Sequence, residues 1–167
     1  GVFDLIVMGT KGVSGLKEVF MGSIAGGVVE ESEIPVIVVP LDYSLNSINK
    51  AVFAVGDDSL NNGASLSVLK EIVEEHKSDL EVLNISDNEM DSFENVLEHI
   101  KDLNPSFTQK KSKGELNHQI DDHIQNNDID LLCMLRTKKG LLNRFFNGSA
   151  TLKQTFHSHI PILILYN

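Results

Sequence analysis

The strongest constraint on the fold of this chain is an internal repeat. Residues 3–40, "FDLIVMGTKGVSGLKEVFMGSIAGGVVEESEIPVIVVP", align without a gap with residues 129–166, "IDLLCMLRTKKGLLNRFFNGSATLKQTFHSHIPILILY". The offset is a constant 126 residues, as from Gly22 to Gly148, and the aligned pairs include a shared Gly-Ser and a shared Ile-Pro. A unit repeated at a fixed spacing is expected to fold in the same way twice.

Each copy has the pattern of a strand, a loop, a helix and a second strand. The runs "DLIVM" and "DLLCML" are short and continuously apolar, and the β-branched runs "PVIVV" and "PILIL" open at a proline, which suits the first residue of a strand. Ser23 and Ser149 stand where a helix N-cap is expected. The pattern predicts a parallel strand–helix–strand unit with a right-handed connection.

The residues between the two copies alternate between strand and helix patterns. We predict strands over residues 51–55, 80–86 and 105–111, the last at a sheet edge, and helices over 63–76, 90–103 and 114–127. Alternation of this kind predicts an α/β domain in which a parallel five-stranded sheet is covered by helices on both faces.

The domain organisation follows from where the copies lie. Residues 48–167 hold the complete five-stranded domain, residues 43–47 are the expected linker, and residues 1–42 are the strand–helix–strand remnant of a preceding domain with the same fold. We therefore expect either a shortened form of a longer chain or the product of a cleavage.

The charge and composition of the chain exclude several classes of function. The net charge of -10 argues against sequence-independent binding of nucleic acid or of an anionic membrane, because both surfaces would repel the chain. No signal peptide or membrane-spanning run is present in the sequence, and the single cysteine, Cys133, lies in the apolar run "LLCML" as a buried residue. A cytoplasmic protein is the default expectation.

Glycines in the first copy carry a resemblance to a known family. Gly9, Gly12, Gly22 and Ser23 have the spacing glycine, two residues, glycine, nine residues, Gly-Ser, between two buried strands. This pattern resembles the nucleotide signature of the universal stress protein family, and the chain resembles the end of a tandem member. The resemblance implies a Rossmann-like fold, ATP as a ligand, and antiparallel pairing of "VIVV" with "ILIL" from the two domains.

The physical basis of this signature is the capture of phosphate. Glycines allow phosphate to approach backbone N–H groups closely, and a helix that begins at Ser23 adds free donors and the positive end of its dipole. The alternative is that these glycines serve only a flexible connection and tight helix–sheet packing. The resemblance places an adenine-binding aspartate after the first strand of a domain, and the first copy has no such residue.

The second copy departs from the signature. Leu135 and Lys138 replace the first two glycines, and a Cβ at each position should narrow the phosphate cradle, while Gly148 and Ser149 remain. The implied aspartate corresponds to Asp57 or to the residue after it, and a turn with side-chain caps is the alternative for both. The predicted nucleotide-binding residues are Gly9, Gly12, Gly22, Ser23, Asp57, Gly148 and Ser149.

A basic loop follows the strand at residues 130–135. Arg136, Lys138, Lys139 and Arg144 are either a site for an anion or, as favoured here, a solvated loop. No histidine pair has the spacing of a metal site, and no catalytic arrangement is readable. The expected function is an ATP-binding regulatory module with a degenerate second domain. The alternatives are a structural interaction domain without a ligand and a weak ATPase.

The strand "LIVM" is predicted to form an exposed apolar edge of the sheet, because the strand that would cover it is absent from the first copy. Exposed edges of this kind recruit other chains. We expect either a homodimer formed through this edge or an exchange of elements between chains.

Overall fold

The computed structural model describes residues 3–9, 23–40, 43–44, 47–56, 63–86, 94–114, 116–137 and 159–166. Its strands are β1 (Ile6–Gly9), β2 (Val36–Val39), β3 (Lys50–Val55), β4 (Asp79–Ile85), β5 (Ser106–Lys110), β6 (Leu131–Arg136) and β7 (Ile162–Tyr166). They form one seven-stranded sheet in the order β1-β2-β7-β6-β3-β4-β5. Neighbouring strands are parallel except for β2 and β7, which are antiparallel.

The helices connect the strands and cover the sheet. They are α1 (Ser23–Glu31), α2 (Leu66–His76), α3 (Glu94–Ile100) and α4 (Leu116–Asn126), with short 3₁₀ turns over Gly63–Ser65 and Lys101–Leu103. Helix α2 ends at Lys77, which takes a left-handed conformation with φ of 54° and donates its backbone N–H to the carbonyls of Glu74 and Val73.

The sheet separates two hydrophobic cores. On one face, called here the α2/α3 face, the strands pack against Leu69 of α2 and Ile100 of α3. On the other, called here the α1/α4 face, they pack against Val29 of α1 and Ile120 of α4. Both faces of the central strands are therefore buried, which explains why their sequences are continuously apolar rather than alternating.

The internal repeat is preserved in the register of the strands. Ile6 pairs with Val36 in the β1–β2 ladder, and the residues 126 positions later, Leu132 and Ile162, pair in the β6–β7 ladder. The backbone hydrogen bond from Ile6 to the carbonyl of Pro35 likewise recurs between Leu132 and Pro161, with N–O distances of 2.9 and 3.1 Å. The two copies therefore fold alike over the strands that the structure describes.

A local pseudo-two-fold axis relates the two copies. At the antiparallel junction Ile37 pairs with Leu163, which is its own equivalent in the second copy. The flanking pairs, Val36 with Ile164 and Val38 with Ile162, exchange roles about this point. The expected antiparallel pairing of "VIVV" with "ILIL" is confirmed.

The sheet differs from the five-stranded parallel sheet that the sequence predicts. It is a mixed sheet of seven strands, because β2 continues it beyond β7 and β1 follows β2. The predicted positions of the two edges are confirmed: β1 lies at one end of the order and β5 at the other. The linker prediction falls partly outside the described residues, since positions 45 and 46 are not among them.

Candidate functional site

Of the predicted phosphate loop, the structure describes only the two ends, Gly9 and Ser23. Gly9 is the last residue of β1, and Ser23 is the first residue of α1. Since β1 and β2 are parallel and α1 connects them, the amino end of α1 belongs to the edge where the strands end. That edge is where open α/β sheets bind ligands. Gly12, Gly22, Asp57, Gly148 and Ser149 lie outside the described residues.

Gly9 and its equivalent in the second copy have opposite surroundings. A Cβ built on Gly9 would meet a single heavy atom within 4 Å, the carbonyl oxygen of Val39 at 4.0 Å. Packing among the described residues therefore does not require a glycine there. Leu135, at the equivalent position, is fully buried in the core of the α2/α3 face. Its side chain thus packs in the core, whereas the sequence predicts only that it narrows a phosphate cradle.

Arg136, the last residue of β6, contacts the first copy. Its guanidinium donates from Nη1 to the carbonyl oxygens of Val29, at 2.9 Å, and Glu30, and from Nη2 to that of Ser32 at 2.5 Å. These are carbonyls at the carboxyl end of α1, where a cation also interacts favourably with the helix dipole. Of the predicted basic loop, Arg136 is thus engaged by α1, whereas Lys138, Lys139 and Arg144 lie outside the described residues.

Two buried polar residues, Asn84 and Ser86, lie at the carboxyl end of β4. Asn84 donates from Nδ2 to the carbonyl of Gly56 at 3.3 Å, which ties the end of β4 to the end of β3. Ser86 donates its backbone N–H to the carbonyl of Lys110 at 3.2 Å. Neither residue was among the predicted site residues, although the polar side chains in the run "LEVLNIS" were a signal of this edge.

A buried ionic cluster lies on the α1/α4 face, toward the amino ends of the strands. Glu81 of β4 accepts a hydrogen bond at Oε1 from His123 Nε2, at 2.9 Å, and forms an ion pair at Oε2 with Lys50 Nζ, at 3.3 Å. Glu81 and His123 are each only 4% exposed. Asn127 Nδ2 donates to the backbone carbonyl of His123 at 2.8 Å, and it also lies 3.4 Å from the imidazole Nδ1, to which it can donate. This arrangement favours neutral His123 with its proton on Nε2.

Burial and hydrogen bonding set the ionisation of the two central groups. Burial raises the pKa of Glu81, but hydrogen bonds from Thr108 and Lys50 and the charges of His123 and Lys50 outweigh it, so the pKa of Glu81 lies below its ordinary value. Burial lowers the pKa of His123, and the attraction of Glu81 offsets this only in part. Near neutral pH, Glu81 is therefore a carboxylate and His123 a neutral imidazole.

The described residues hold no group of histidine, cysteine and acidic side chains that could bind a metal ion. Cys133 is buried as predicted, and burial raises the pKa of its thiol well above the ordinary value. Within the same part of the chain, no helix combines the length and the apolar character that crossing a membrane requires.

The fold is that of an α/β protein in which two related strand–helix–strand units are joined by the antiparallel pair of β2 and β7. The sequence model of the universal stress protein family matches the chain twice, over residues 2–40 and over residues 37–165. The chain belongs to the universal stress protein family. No curated protein matches it.

Solved structures share the fold at low sequence identity. A universal stress protein from Archaeoglobus fulgidus DSM 4304 matches 99% of this chain with 62% of its own length, at 19% identity and a TM-score of 0.66. A putative universal stress protein from Pseudomonas aeruginosa UCBPP-PA14 matches 98% with 63% of its own, at 14% identity and a TM-score of 0.66. A functionally unknown protein from Pseudomonas aeruginosa PAO1 matches 98% of this chain with 63% of its own length, at 14% identity and a TM-score of 0.64. The chain thus spans less than two-thirds of the length of these structures.

Proposed function

We propose that this chain is an adenine-nucleotide-binding regulatory module in which the loop of the first copy, from Gly9 to Ser23, holds the phosphates of ATP. The observation that carries the proposal is the space beside Gly9, where a Cβ would meet only one atom of the described residues within 4 Å. A position with room for a side chain, at the carboxyl end of a strand, leaves the backbone accessible to a phosphate oxygen.

The proposal assigns distinct roles to the residues of the loop. The backbone N–H groups around Gly9, Gly12 and Gly22 would donate to phosphate oxygens, and Ser23 would contribute through the first turn of α1. The nine residues of α1 give that turn free N–H donors and a positive dipole end. Because the chain is acidic overall, only this local site would attract the negatively charged phosphates of ATP.

The proposal includes a tandem organisation with a degenerate second domain. Residues 1–42 are the end of a first universal stress domain and residues 48–167 form the second. Two family matches, over residues 2–40 and 37–165, and the identical strand register of the two copies support this organisation. In the second copy, Leu135 is used for packing, which is why the intact loop is assigned to the first copy.

Calorimetric titration tests the proposal. We expect Mg·ATP and inorganic tripolyphosphate to bind with similar, weak affinity, because the first copy contributes the phosphate-binding half of a domain. The double change Gly9→Leu and Gly12→Lys, which copies the residues of the second loop, should abolish binding of both. The matched control is Gly27→Ala, since a Cβ at this exposed position of α1 meets no atom within 4 Å.

Three outcomes of the titration are decisive. Absence of heat with both ligands at millimolar concentration would contradict the proposal and favour a structural interaction domain. Binding that persists in the double variant would place the site elsewhere. Release of ADP or phosphate on incubation with the unmodified chain, lost in the double variant, would instead support a weak ATPase.

A further inference from the structure

Helix α1 has no charged residue of its own that complements its dipole. Its first turn holds no acidic residue, and its last turn holds no basic one. Glu30 and Glu31, both exposed, instead add negative charge at the carboxyl end, where the dipole is already negative. Gly26 and Gly27 lie in the middle of the helix, where glycine is among the least favourable residues. A nine-residue helix with this sequence therefore depends on groups outside it for its stability.

Arg136 supplies the missing cation from the second copy. Its guanidinium donates to the carbonyls of Val29, Glu30 and Ser32, at the end of the helix where carbonyls lack helical partners. Hydrogen bonds from a cation are stronger than those between neutral groups. The turn that follows is fixed as well, because Ser32 Oγ donates to the carbonyl of Ile34 at 2.7 Å. The carboxyl end of α1 is thus joined to the end of β6.

The antiparallel junction explains how a residue of β6 reaches this end of α1. Arg136 lies beside Tyr166 in the β6–β7 ladder. Ile164, two residues before Tyr166, lies opposite Val36, the first residue of β2. The carboxyl end of β6 is therefore next to the turn that leads from α1 into β2. From this turn α1 extends over its nine residues, roughly 13 Å, toward the edge where β1 and β2 end.

We propose that Arg136 is a positioning residue for phosphate binding in the first copy. It holds the carboxyl end of α1 and thereby the N–H donors at the amino end of the same helix. A cation at one end and an anion at the other stabilise the same helical conformation, so each favours binding of the other. The affinity of the first copy for nucleotide therefore depends on a side chain of the second. This inference rests on the phosphate site proposed above for the loop from Gly9 to Ser23.

Calorimetric titration of the full chain with inorganic tripolyphosphate tests the inference, well below the Tm of every variant. Arg136→Met removes the donors, and we expect it to raise the Kd about fivefold or more, as is typical of coupled sites. Arg136→Lys keeps a cation at the helix end but lacks the planar fork of donors, so its Kd should be intermediate. If Arg136→Met does not fold, Arg136→Lys carries the same comparison.

Val73→Ala separates positioning from a general loss of stability. Val73 is a buried residue of α2 in the core of the α2/α3 face, on the opposite side of the sheet from the core of α1. We expect this variant to have a lower Tm and a Kd within about twofold of that of the unmodified chain. Hydrogen exchange without ligand gives a second readout. Arg136→Met should speed exchange of the α1 amides more than that of the amides of β3 and β4, and Val73→Ala should not.

A second change tests whether Arg136 acts through α1. Gly27→Ala strengthens the helix without steric cost, because a Cβ there meets no atom of the described residues within 4 Å. Combined with Arg136→Met, it should restore part of the lost affinity. Alone, it should change the Kd less, since Arg136 already holds the helix in the unmodified chain.

Three results would overturn the inference. One is a Kd of Arg136→Met equal to that of the unmodified chain, and another is an equal loss of affinity in Val73→Ala. The third is a loss in Arg136→Met that Gly27→Ala leaves wholly unrestored, because Arg136 would then not act through α1. Absence of binding by the unmodified chain would contradict the proposed function and this inference with it. Binding that is indifferent to Arg136→Met would contradict the inference alone, so the two failures are distinguishable.

Discussion

The buried cluster of Glu81, His123 and Lys50 predicts that acid destabilises the protein in a defined window. The pKa of His123 in the folded state lies below its ordinary value of 6.5, so the unfolded chain binds this proton first as the pH falls. Stability attributable to neutral His123 is therefore fully present above pH 6.5 and is lost progressively toward the folded pKa. The pKa of Glu81 is also lowered, and its contribution is lost in the same direction, below its ordinary value of 4.5.

The magnitude follows from proton linkage. A single proton bound only by the unfolded state changes the free energy of unfolding by about 1.4 kcal/mol per pH unit. We expect the contribution of His123 to stability to fall as the pH drops below 6.5, with a slope no steeper than this. Three charged groups face the imidazole from the sheet, and they are Glu81 on β4, Lys50 on β3 and Lys110 on β5. The two lysines oppose its protonation, and Glu81 favours it.

Urea denaturation from pH 7.5 to 5 measures this effect, with His123→Gln as the test. Glutamine can donate to Glu81 and accept from Asn127 without titrating, so the variant should lose about 1 kcal/mol or less at pH 7.5. Its stability should then fall less steeply than that of the unmodified chain below pH 6.5. His118→Gln, at an exposed position of the same helix, is the control and should retain the steep dependence. Equal slopes for the unmodified chain and His123→Gln would refute the reasoning.

Substitutions at three further positions test other features, each by urea denaturation at pH 7.5. Arg136→Met removes the donors to the carboxyl end of α1 and should cost about 2 kcal/mol, with Arg136→Lys less damaging; an unchanged stability would mean that the contact contributes nothing. Gly27→Ala, inside α1, should stabilise by about 0.5–1 kcal/mol because alanine is the better helix former. Ser65→Ala should be neutral or stabilising by about 1 kcal/mol, since the buried Ser65 hydroxyl has no hydrogen-bond partner among the described residues, and a loss of stability would reveal a partner.

Much of the fold was predictable because the repeat fixes it locally. The apolar runs of β1, β2, β6 and β7 are short-range patterns, and their equivalence at a constant offset predicts their common pairing. The helices are periodic, with Leu66, Leu69 and Val73 on the buried stripe of α2. The number of strands in the sheet was harder to predict, since the sequence pattern of a strand does not show which other strands pair with its two edges.

The polar contacts of Glu81 and Arg136 could not be predicted, because each joins residues that are far apart in the chain. Glu81 and His123 are 42 positions apart, and Arg136 and Val29 are 107 apart. Glu81 in the otherwise apolar run "LEVL" was a signal of a buried polar partner, since a charge inside a buried strand requires one. The identity of that partner depends on how α4 lies across the sheet, which the sequence of α4 alone does not determine. The predicted residues outside the described part of the chain stay predictions.

The loss of the glycine signature in the second copy has a structural use. Gly9 and Thr10 of the first copy correspond to Leu135 and Arg136, two consecutive replacements. Leu135 fills the core of the α2/α3 face, and Arg136 crosses to α1 of the first copy. One replacement therefore packs the second copy and the other joins it to the first, across the same junction that the antiparallel pair of β2 and β7 forms. Leu135 and Arg136, the last two residues of β6, therefore stabilise the second copy and its contact with the first.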